Sequence, residues 1–234
     1  MEAAERELHR HPESTELWRL KGMINEQMGD DEAAKNQYIE SLELDPNNPE
    51  TRLRLGSLLV EQGSLKQARR HFKRILEMKS KKANAWNVIG DVFIRNELWN
   101  EALPYFEESL ALDPCERRAG FNRVACLIRL QETAKALPAL NETLIRIKPL
   151  DRSYHDLVRG LKQCLGHCIE ALNMDELQTI GPGLISAVRE ADCVWQMKKA
   201  VEAMGEEGDE WAENEVERQK LEWMIRFINE NYDK

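Results

Sequence analysis

The chain repeats itself with a period of 34 residues, and this period limits the possible folds more than any other feature of the sequence. Four consecutive repeats align without gaps, and they span residues 15–48, 49–82, 83–116 and 117–150. Position 20 is an alanine in every repeat, namely Ala34, Ala68, Ala102 and Ala136. Position 8 is a glycine in three of them, Gly22, Gly56 and Gly90. Small residues in such strict register indicate that the chain is built from copies of one structural element.

Each repeat has the pattern of two helices joined by a turn, the first over positions 1–14 and the second over positions 18–31. The small residues at positions 8 and 20 allow these helices to approach closely. An aromatic residue at position 24 (Tyr38, Phe72 and Phe106) fills the space beside that contact, and a proline at position 32 (Pro46 and Pro114) ends the second helix. Because one helical hairpin cannot bury its apolar face alone, the sequence predicts an all-α solenoid of stacked hairpins.

This pattern resembles the tetratricopeptide repeat, whose characteristic positions are 4, 8, 20, 24 and 32. Trp18 and Trp86 occupy position 4, and the likeness is strong over residues 15–116. In the fourth repeat Gly120 replaces the aromatic residue of position 4, and Val124 replaces the glycine of position 8. The resemblance implies a right-handed superhelical solenoid of helix-turn-helix repeats whose inner surface binds other proteins.

The segments on either side of the four repeats are less regular. Residues 1–14 are similar to the end of a second helix, with Pro12 placed 34 residues before Pro46. We expect this segment to be either a partial repeat of a longer array or an N-terminal cap.

Residues 151–234 predict a degenerate repeat followed by further helices. We expect helices over 154–173, 184–204 and 211–231, with a break at the Gly-Pro-Gly sequence of residues 181–183. These C-terminal helices are expected to cap the open end of the solenoid. The alternative is a docking or dimer surface, which would use Trp211, Trp223 and Phe227.

The overall composition restricts the partner and the compartment. The 33 basic and 42 acidic side chains give a formal net charge of −9, which argues against binding nucleic acid or an anionic membrane over the whole surface. Five cysteines in a chain of this size do not suggest a disulfide framework. No apolar run is long enough to span a membrane, and the charged first residues do not resemble a signal peptide. We therefore expect an intracellular, cytoplasmic protein.

No pattern in the chain predicts catalysis or a cofactor. The sequence has no phosphate-binding loop and no nucleophile motif of the hydrolases, and its carboxylates are scattered over helix faces. Cys164, His167 and Cys168 share one helical face, a spacing compatible with metal ligands, but a fourth ligand is not evident. The simpler interpretation is that both cysteines are apolar core residues. We expect a protein that is not an enzyme and that has no metal site.

The resemblance implies that positions 2, 5, 9, 12 and 13 of each first helix line the inner surface, and we call these the inner-face positions. In the first two repeats they carry four glutamates and one arginine, whereas from Arg95 onwards they are mainly basic. Arginine holds a carboxylate through paired N–H groups, and asparagine bonds to the backbone of an extended peptide. The candidate partner-binding residues are Asn84, Asn87, Asp91, Arg95, Arg118, Phe121, Asn122, Arg129 and Arg159.

These observations favour a scaffold or adaptor that binds a partner segment, expected to be acidic, in its concave groove. The alternative is a regulatory or scaffold subunit of a larger enzyme or assembly that contacts its partners through the C-terminal helices. RNA binding is disfavoured by the net charge of −9 and by the period of 34 residues. Self-association remains a further possibility.

Overall fold

The protein is described by a computed structural model over residues 2–79, 82–147, 154–190, 194–206 and 214–232. Every regular element in these residues is a helix. None of the described helices is long and apolar enough to cross a membrane. The chain divides into two compact units, Met1–Glu97 and Leu98–Lys234, which we call the N-terminal and the C-terminal unit and describe in turn.

The N-terminal unit stacks helical hairpins in the predicted register. Helix α2 packs against α3, α3 against α4, and α4 against α5. The first repeat is therefore the α2–α3 hairpin and the second is the α4–α5 hairpin. The described helices of this unit are α1 (Glu2–Arg10), α2 (Thr15–Gln27), α3 (Asp31–Leu44), α4 (Pro49–Glu61), α5 (Leu65–Lys79) and α6 (Ala83–Arg95).

Polar side chains begin α2, α3 and α4, and glycines follow the ends of α2 and α4. Ser14, Asp30 and Asn48 each accept a hydrogen bond from the backbone N–H three residues later, which satisfies one of the free donors of the first turn. Gly29 and Gly63, at position 15, have φ angles of 77° and 71°. Glycine adopts this left-handed conformation without steric cost, so the turn between the paired helices is encoded locally.

The close contact predicted within each hairpin is present. A Cβ atom on Gly22 would lie 2.5 Å from Cε1 of Tyr38, and one on Gly56 would lie 2.9 Å from Cζ of Phe72. Both rings are fully buried. Phe72 also meets Phe93 of α6 edge to face, with 5.7 Å between the ring centroids, and this contact joins α5 to α6.

Position 4 adds a hydrogen bond between one hairpin and the segment before it. Trp18 Nε1 donates to the backbone oxygen of Pro12 over 2.8 Å, and Arg52 Nε donates to the oxygen of Pro46 over the same distance. Both bonds join position 4 to the proline six residues earlier. The segment before the first repeat therefore ends as the repeats themselves do.

The C-terminal unit is a helical assembly around one apolar core, which is formed by residues from α8 to α13. Helix α8 contacts α7, α9 and α10, while α11 packs on α9 and α12 packs on α10. Helix α13 contacts both α11 and α12. The described helices of this unit are α7 (Trp99–Leu112), α8 (Arg117–Arg129), α9 (Thr133–Ile147), α10 (Tyr154–Ala171), α11 (Met174–Glu190), α12 (Val194–Glu206) and α13 (Glu215–Tyr232).

The predicted break at residues 181–183 is wrong, because the Gly-Pro-Gly sequence lies inside α11. The predicted helix over 184–204 is also wrong, since it is divided between α11 and α12. The last helix begins at Glu215, and Trp211 lies outside the described residues.

Close packing explains why α11 continues through these glycines. A Cβ atom on Gly181 would lie 3.0 Å from side-chain atoms of Trp223 and Phe227 on α13. A Cβ atom on Gly183 would lie 2.6 Å from Cδ1 of Leu137 on α9. Both glycines thus allow neighbouring helices to approach α11, and the burial of apolar side chains at these contacts offsets the poor helix propensity of glycine.

Candidate partner-binding surfaces

The inner-face positions of α2 and α4 form an acidic surface on the N-terminal unit. Arg19 Nη2 lies 3.0 Å from Oε1 of Glu16 and 3.8 Å from Oε2 of Glu50, so it connects two repeats. Glu26 accepts a hydrogen bond from the Tyr38 hydroxyl, and its carboxylate lies 3.7 Å from the Arg54 guanidinium. The carboxylates of this surface are therefore largely compensated within the protein.

Among the carboxylates of this surface, Glu61 has a shifted pKa. Burial raises the pKa of Glu61, and the nearby Glu26 raises it further, whereas Arg95 of α6 opposes the shift. Arg95 itself is exposed. The positive charge of Arg95 therefore partly balances the acidic end of α4.

A cavity of about 300 Å³ opens beside the first turns of α4 and α6. It is lined mainly by aliphatic side chains, with charged and amide groups among them. Its volume accommodates one large apolar side chain of a bound peptide. The residues that line it are Pro49, Glu50, Leu53, Ile75, Lys82, Asn84, Ala85, Val88 and Ile89. Sequence periodicity gives no signal for such a cavity, because it records which residues share a face and not the gaps between helices.

The other candidates on α6 differ in accessibility. Asn84 is exposed at the cavity and Asp91 is half-buried. Asn87 is completely buried, and neither polar atom of its side-chain amide has a hydrogen-bond partner in the described part of the chain. Of these three residues, Asn84 has the surface that a partner could contact.

In the C-terminal unit, Arg118 of α8 and Arg159 of α10 are exposed. These two helices pack against each other, so both guanidinium groups belong to one pair of adjacent helices. Because the chain carries a net charge of −9, this pair of exposed arginines differs in sign from the molecule as a whole.

Phe121 and Asn122 lie in the interface between α8 and α10. Phe121 is 4% exposed, and a Cβ atom on Gly160 of α10 would lie 2.8 Å from Cγ of its ring. Asn122 is 6% exposed, and its Oδ1 accepts a hydrogen bond of 3.4 Å from Nε2 of Gln163. Both side chains therefore serve the packing of α10 on α8, and we leave them out of the proposed surface.

Arg129 is held by side chains of its own unit. Its Nη1 lies 2.8 Å from Oε2 of Glu170, and its guanidinium lies over the Trp99 ring, 4.8 Å from the centroid. The His167 ring meets the same indole edge to face, with centroids 5.4 Å apart. Burial and the charge of Arg129 lower the pKa of His167 to about 4, so this imidazole is neutral at physiological pH.

Cys164 and Cys168 are part of the apolar core of the C-terminal unit. Burial raises the pKa of Cys168 to about 12 and raises that of Cys164 well above its ordinary value. The core interpretation of these cysteines is therefore confirmed.

The alternative surface on the C-terminal helices is partly buried. Trp223 and Phe227 stack on each other with centroids 4.9 Å apart, and both rings cover Gly181. Leu221, Met224 and Ile228 lie in the core. Most of the apolar side of α13 is therefore packed against its own unit, whereas Val216 near its start is exposed.

Two family models, both of the tetratricopeptide repeat, match the chain over residues 27–91 and 90–152. Together the two matches extend over more than half of the 234 residues. The chain belongs to the tetratricopeptide-repeat family. The resemblance that the sequence pattern indicated is thereby confirmed, and this membership supports the general class of protein–protein interaction scaffold.

The solved structures that are similar to this chain have the same fold. Yeast Tom70 has a TM-score of 0.53 at 14% identity, over 97% of this chain and 42% of that chain. The hetero-tetramer of APC/C proteins Cut9 and Hcn1 has a TM-score of 0.52 at 12% identity, over 96% and 45%. The MamA protein has a TM-score of 0.49 at 23% identity, over 83% and 94%. At these identities the likeness concerns the fold alone, and a comparison with the curated proteins gave no match.

Proposed function

We propose that this protein is a non-enzymatic adaptor that binds a segment of another protein on the inner-face positions of its repeat helices. The segment is acidic where it contacts α8 and α10. The observation that carries this proposal is the exposure of Arg118 and Arg159 on two adjacent helices of a chain with a net charge of −9. A chain with a net negative charge does not need exposed arginines on two neighbouring helices in order to be soluble.

The chemistry of these groups favours carboxylates as ligands. A guanidinium presents parallel N–H donors that match the two oxygens of a carboxylate. Arg129 supports such a site from its edge, because Trp99 and Glu170 hold it in one orientation. Arg129 is half-buried whereas Arg118 and Arg159 are exposed, so these two residues supply most of the accessible guanidinium surface.

The N-terminal unit offers a contact of another kind. The cavity beside α4 and α6 has Leu53 and Val88 among its lining residues and exposed Asn84 at its edge. An apolar side chain fits among the aliphatic groups, while an asparagine amide bonds to the peptide backbone beside it. We therefore propose that Asn84 and this cavity form a contact of the N-terminal unit by itself, which takes a large apolar residue of a bound segment.

The test compares the intact protein with the double variant Arg118→Gln/Arg159→Gln in a pull-down from cell extract, read by mass spectrometry. The matched control is Arg226→Glu, an exposed position on α13 that changes the net charge by the same two units. We expect a partner that the intact protein and the control retain and that the double variant loses. Far-ultraviolet circular dichroism checks that all three proteins keep the same helical content.

Equal retention by the double variant would contradict the basic-surface proposal. It would favour the second candidate, a scaffold subunit that contacts its partners through α11–α13. The specific observation for that candidate is the incomplete burial of Trp223 and Phe227.

A further inference from the structure

The second helix of the second repeat, α5, carries a concentration of positive charge that the groove does not use. Its sequence, LKQARRHFKRILEMK, contains six lysines and arginines against the single acidic residue Glu77. The exposed cations are Lys66, Arg69, Arg70, Lys73 and Arg74. They lie opposite the buried side of the helix, which is formed by Ala68, Phe72, Ile75 and Leu76. We call this set of five cations the α5 basic face.

One of these cations has an anionic partner among the described residues. It is Arg74, with Nη1 at 3.1 Å from Oε2 of Glu77 and Nη2 at 3.1 Å from Oδ1 of Asn47. Within the described residues, the other four cations of the face form no ion pair. Four charged side chains are therefore directed to solvent within about 10 Å along one helix.

This arrangement reduces the stability of the helix. Lys66 and Arg70, Arg69 and Lys73, and Arg70 and Arg74 are pairs of like charge four residues apart, where helix side chains are neighbours. Each such pair destabilises a helix by a few tenths of a kcal/mol, whereas alternating charges would give the same solubility. Solvation alone therefore does not account for the single sign of this face.

The positive charge of the basic face also affects the pKa values of neighbouring side chains. Burial and then Arg74 lower the pKa of Arg52 on α4, and burial and then Arg52 lower the pKa of His71 on α5. The potential therefore extends from the basic face towards α4. Elsewhere in the same unit the exposed charge has the opposite sign, because α3 exposes Glu32, Glu40 and Glu43.

The small size of the basic face favours one class of binding partner over the others. A flat anionic membrane or a long nucleic acid would extend beyond this face, which covers about 10 Å along α5, and would meet other parts of an acidic chain. A net charge of −9 repels such extended polyanions further. A short acidic segment of a protein covers the basic face alone, and its carboxylates suit the three arginines.

We propose that the α5 basic face is a second binding surface, distinct from the inner-face positions, and that it binds a short acidic segment of a partner protein. The two surfaces give an adaptor two contacts with carboxylate-bearing partners. Binding to the basic face is electrostatic, and it therefore weakens as the salt concentration rises.

The test uses a fluorescein-labelled oligoglutamate peptide and measures fluorescence anisotropy with the full chain at low and at physiological salt. The variant Arg70→Gln/Lys73→Gln removes two charges from the centre of the face and introduces good helix formers. Arg226→Glu is the control with the same change in net charge, and Arg118→Gln/Arg159→Gln tests the inner-face surface in parallel. We expect the α5 variant to bind the peptide about fivefold or more weakly, while the control equals the intact protein.

The remaining outcomes separate this inference from the proposed function. Unchanged peptide affinity of the α5 variant overturns the inference. Weakening only in Arg118→Gln/Arg159→Gln also overturns it, but supports the proposed function. An oligoribonucleotide, or a vesicle containing phosphatidylserine, that binds more tightly than the peptide and is lost in the α5 variant would replace the proposed partner class. If the α5 variant loses helical content, the variant Lys66→Gln/Arg69→Gln replaces it. Its peptide affinity is interpreted in the same way.

Discussion

Phe121 was predicted to contact a partner, but in the structure its ring is buried between α8 and α10. It occupies position 5 of the fourth repeat, an inner-face position. Helix α10 covers it, because Gly160 leaves room for the ring where any other residue would place a Cβ atom. Asn122 is buried by the same interface and bonds to Gln163. The sequence pattern placed Phe121 and Asn122 among the candidate partner-binding residues but did not indicate that α10 covers them.

The contact between Gly160 and Phe121 predicts the effect of Gly160→Ala. Alanine favours a helix over glycine by about 1 kcal/mol, but a methyl group here overlaps a buried aromatic ring, and such overpacking costs about 1–3 kcal/mol. We expect a net loss of about 1 kcal/mol in the free energy of unfolding, measured by urea denaturation.

Gly205→Ala is the matched control for this substitution. Gly205 is an exposed helical glycine, and its Cβ atom would meet only the flexible end of Ile225, at 3.1 Å from Cδ1. The control should be neutral or slightly stabilising. If Gly160→Ala stabilises the protein as much as Gly205→Ala does, this result contradicts the prediction that Gly160 is needed to leave room for the Phe121 ring.

Three of the described helices have a proline in their interior, and exposure explains why each helix continues. Pro104, Pro138 and Pro182 lie inside α7, α9 and α11. A proline in a helix removes the N–H that would bond to the carbonyl four residues earlier. Those carbonyls belong to Asn100, Ala134 and Gln178, all of which are exposed, so water is available to the unpaired oxygens. Pro182 therefore does not end α11, although its neighbours are glycines.

Helix α13 also completes the C-terminal end of α10. Lys220 is 7% exposed, and its Nζ donates a hydrogen bond of 2.8 Å to the backbone oxygen of Ile169. This oxygen belongs to the last turn of α10, where the helix itself offers no donor. The positive charge is also favourable at this end of the helix dipole.

Lys220→Met should therefore destabilise the C-terminal unit by about 1–3 kcal/mol, because it leaves a buried carbonyl without a partner while keeping the apolar stem. The midpoint of chemical denaturation measures this loss. The control is Lys199→Met, which removes an exposed pair with Glu202 and should change stability by less than about 1 kcal/mol. Equal effects of the two substitutions would show that the buried hydrogen bond contributes little.

At the scale of the whole molecule, the C-terminal helices share one apolar core with α8 and α10. Leu161, Leu165, Ile169 and Leu172 of α10 are buried in a core to which α11, α12 and α13 contribute. Truncation after Asn173 would expose these side chains. The capping role expected for residues 174–234 is consistent with this packing.

We expect truncation after Asn173 to cost roughly 5 kcal/mol or more and to cause aggregation of the product. Size-exclusion chromatography and thermal unfolding measure these effects. Truncation after Asn214, which removes only α13, should give an intermediate loss. A monomeric product with unchanged unfolding temperature after the longer truncation would contradict a structural role of these helices. Binding tests therefore use the full chain.

The sequence by itself determined the repeat, the helix pairs and the turns, because these depend on contacts and dihedral angles within one hairpin. Gly22 meets Tyr38 and Gly56 meets Phe72 as the register predicted. The left-handed turn at position 15 follows the register even where the residue is not glycine: Glu97 and Gln131 have φ angles of 57° and 60°.

Only the tertiary structure decided which parts of the inner-face positions stay accessible. Phe121 is covered by Gly160, Arg129 is paired with Glu170, and the Gly-Pro-Gly sequence of residues 181–183 is held inside α11 by contacts with α9 and α13. Each of these outcomes depends on a contact between residues about 40 positions apart in the chain. A period of 34 residues specifies the direction in which a side chain points from its own helix. Whether solvent or another helix lies in that direction depends on how distant segments pack, and that is a property of the folded molecule.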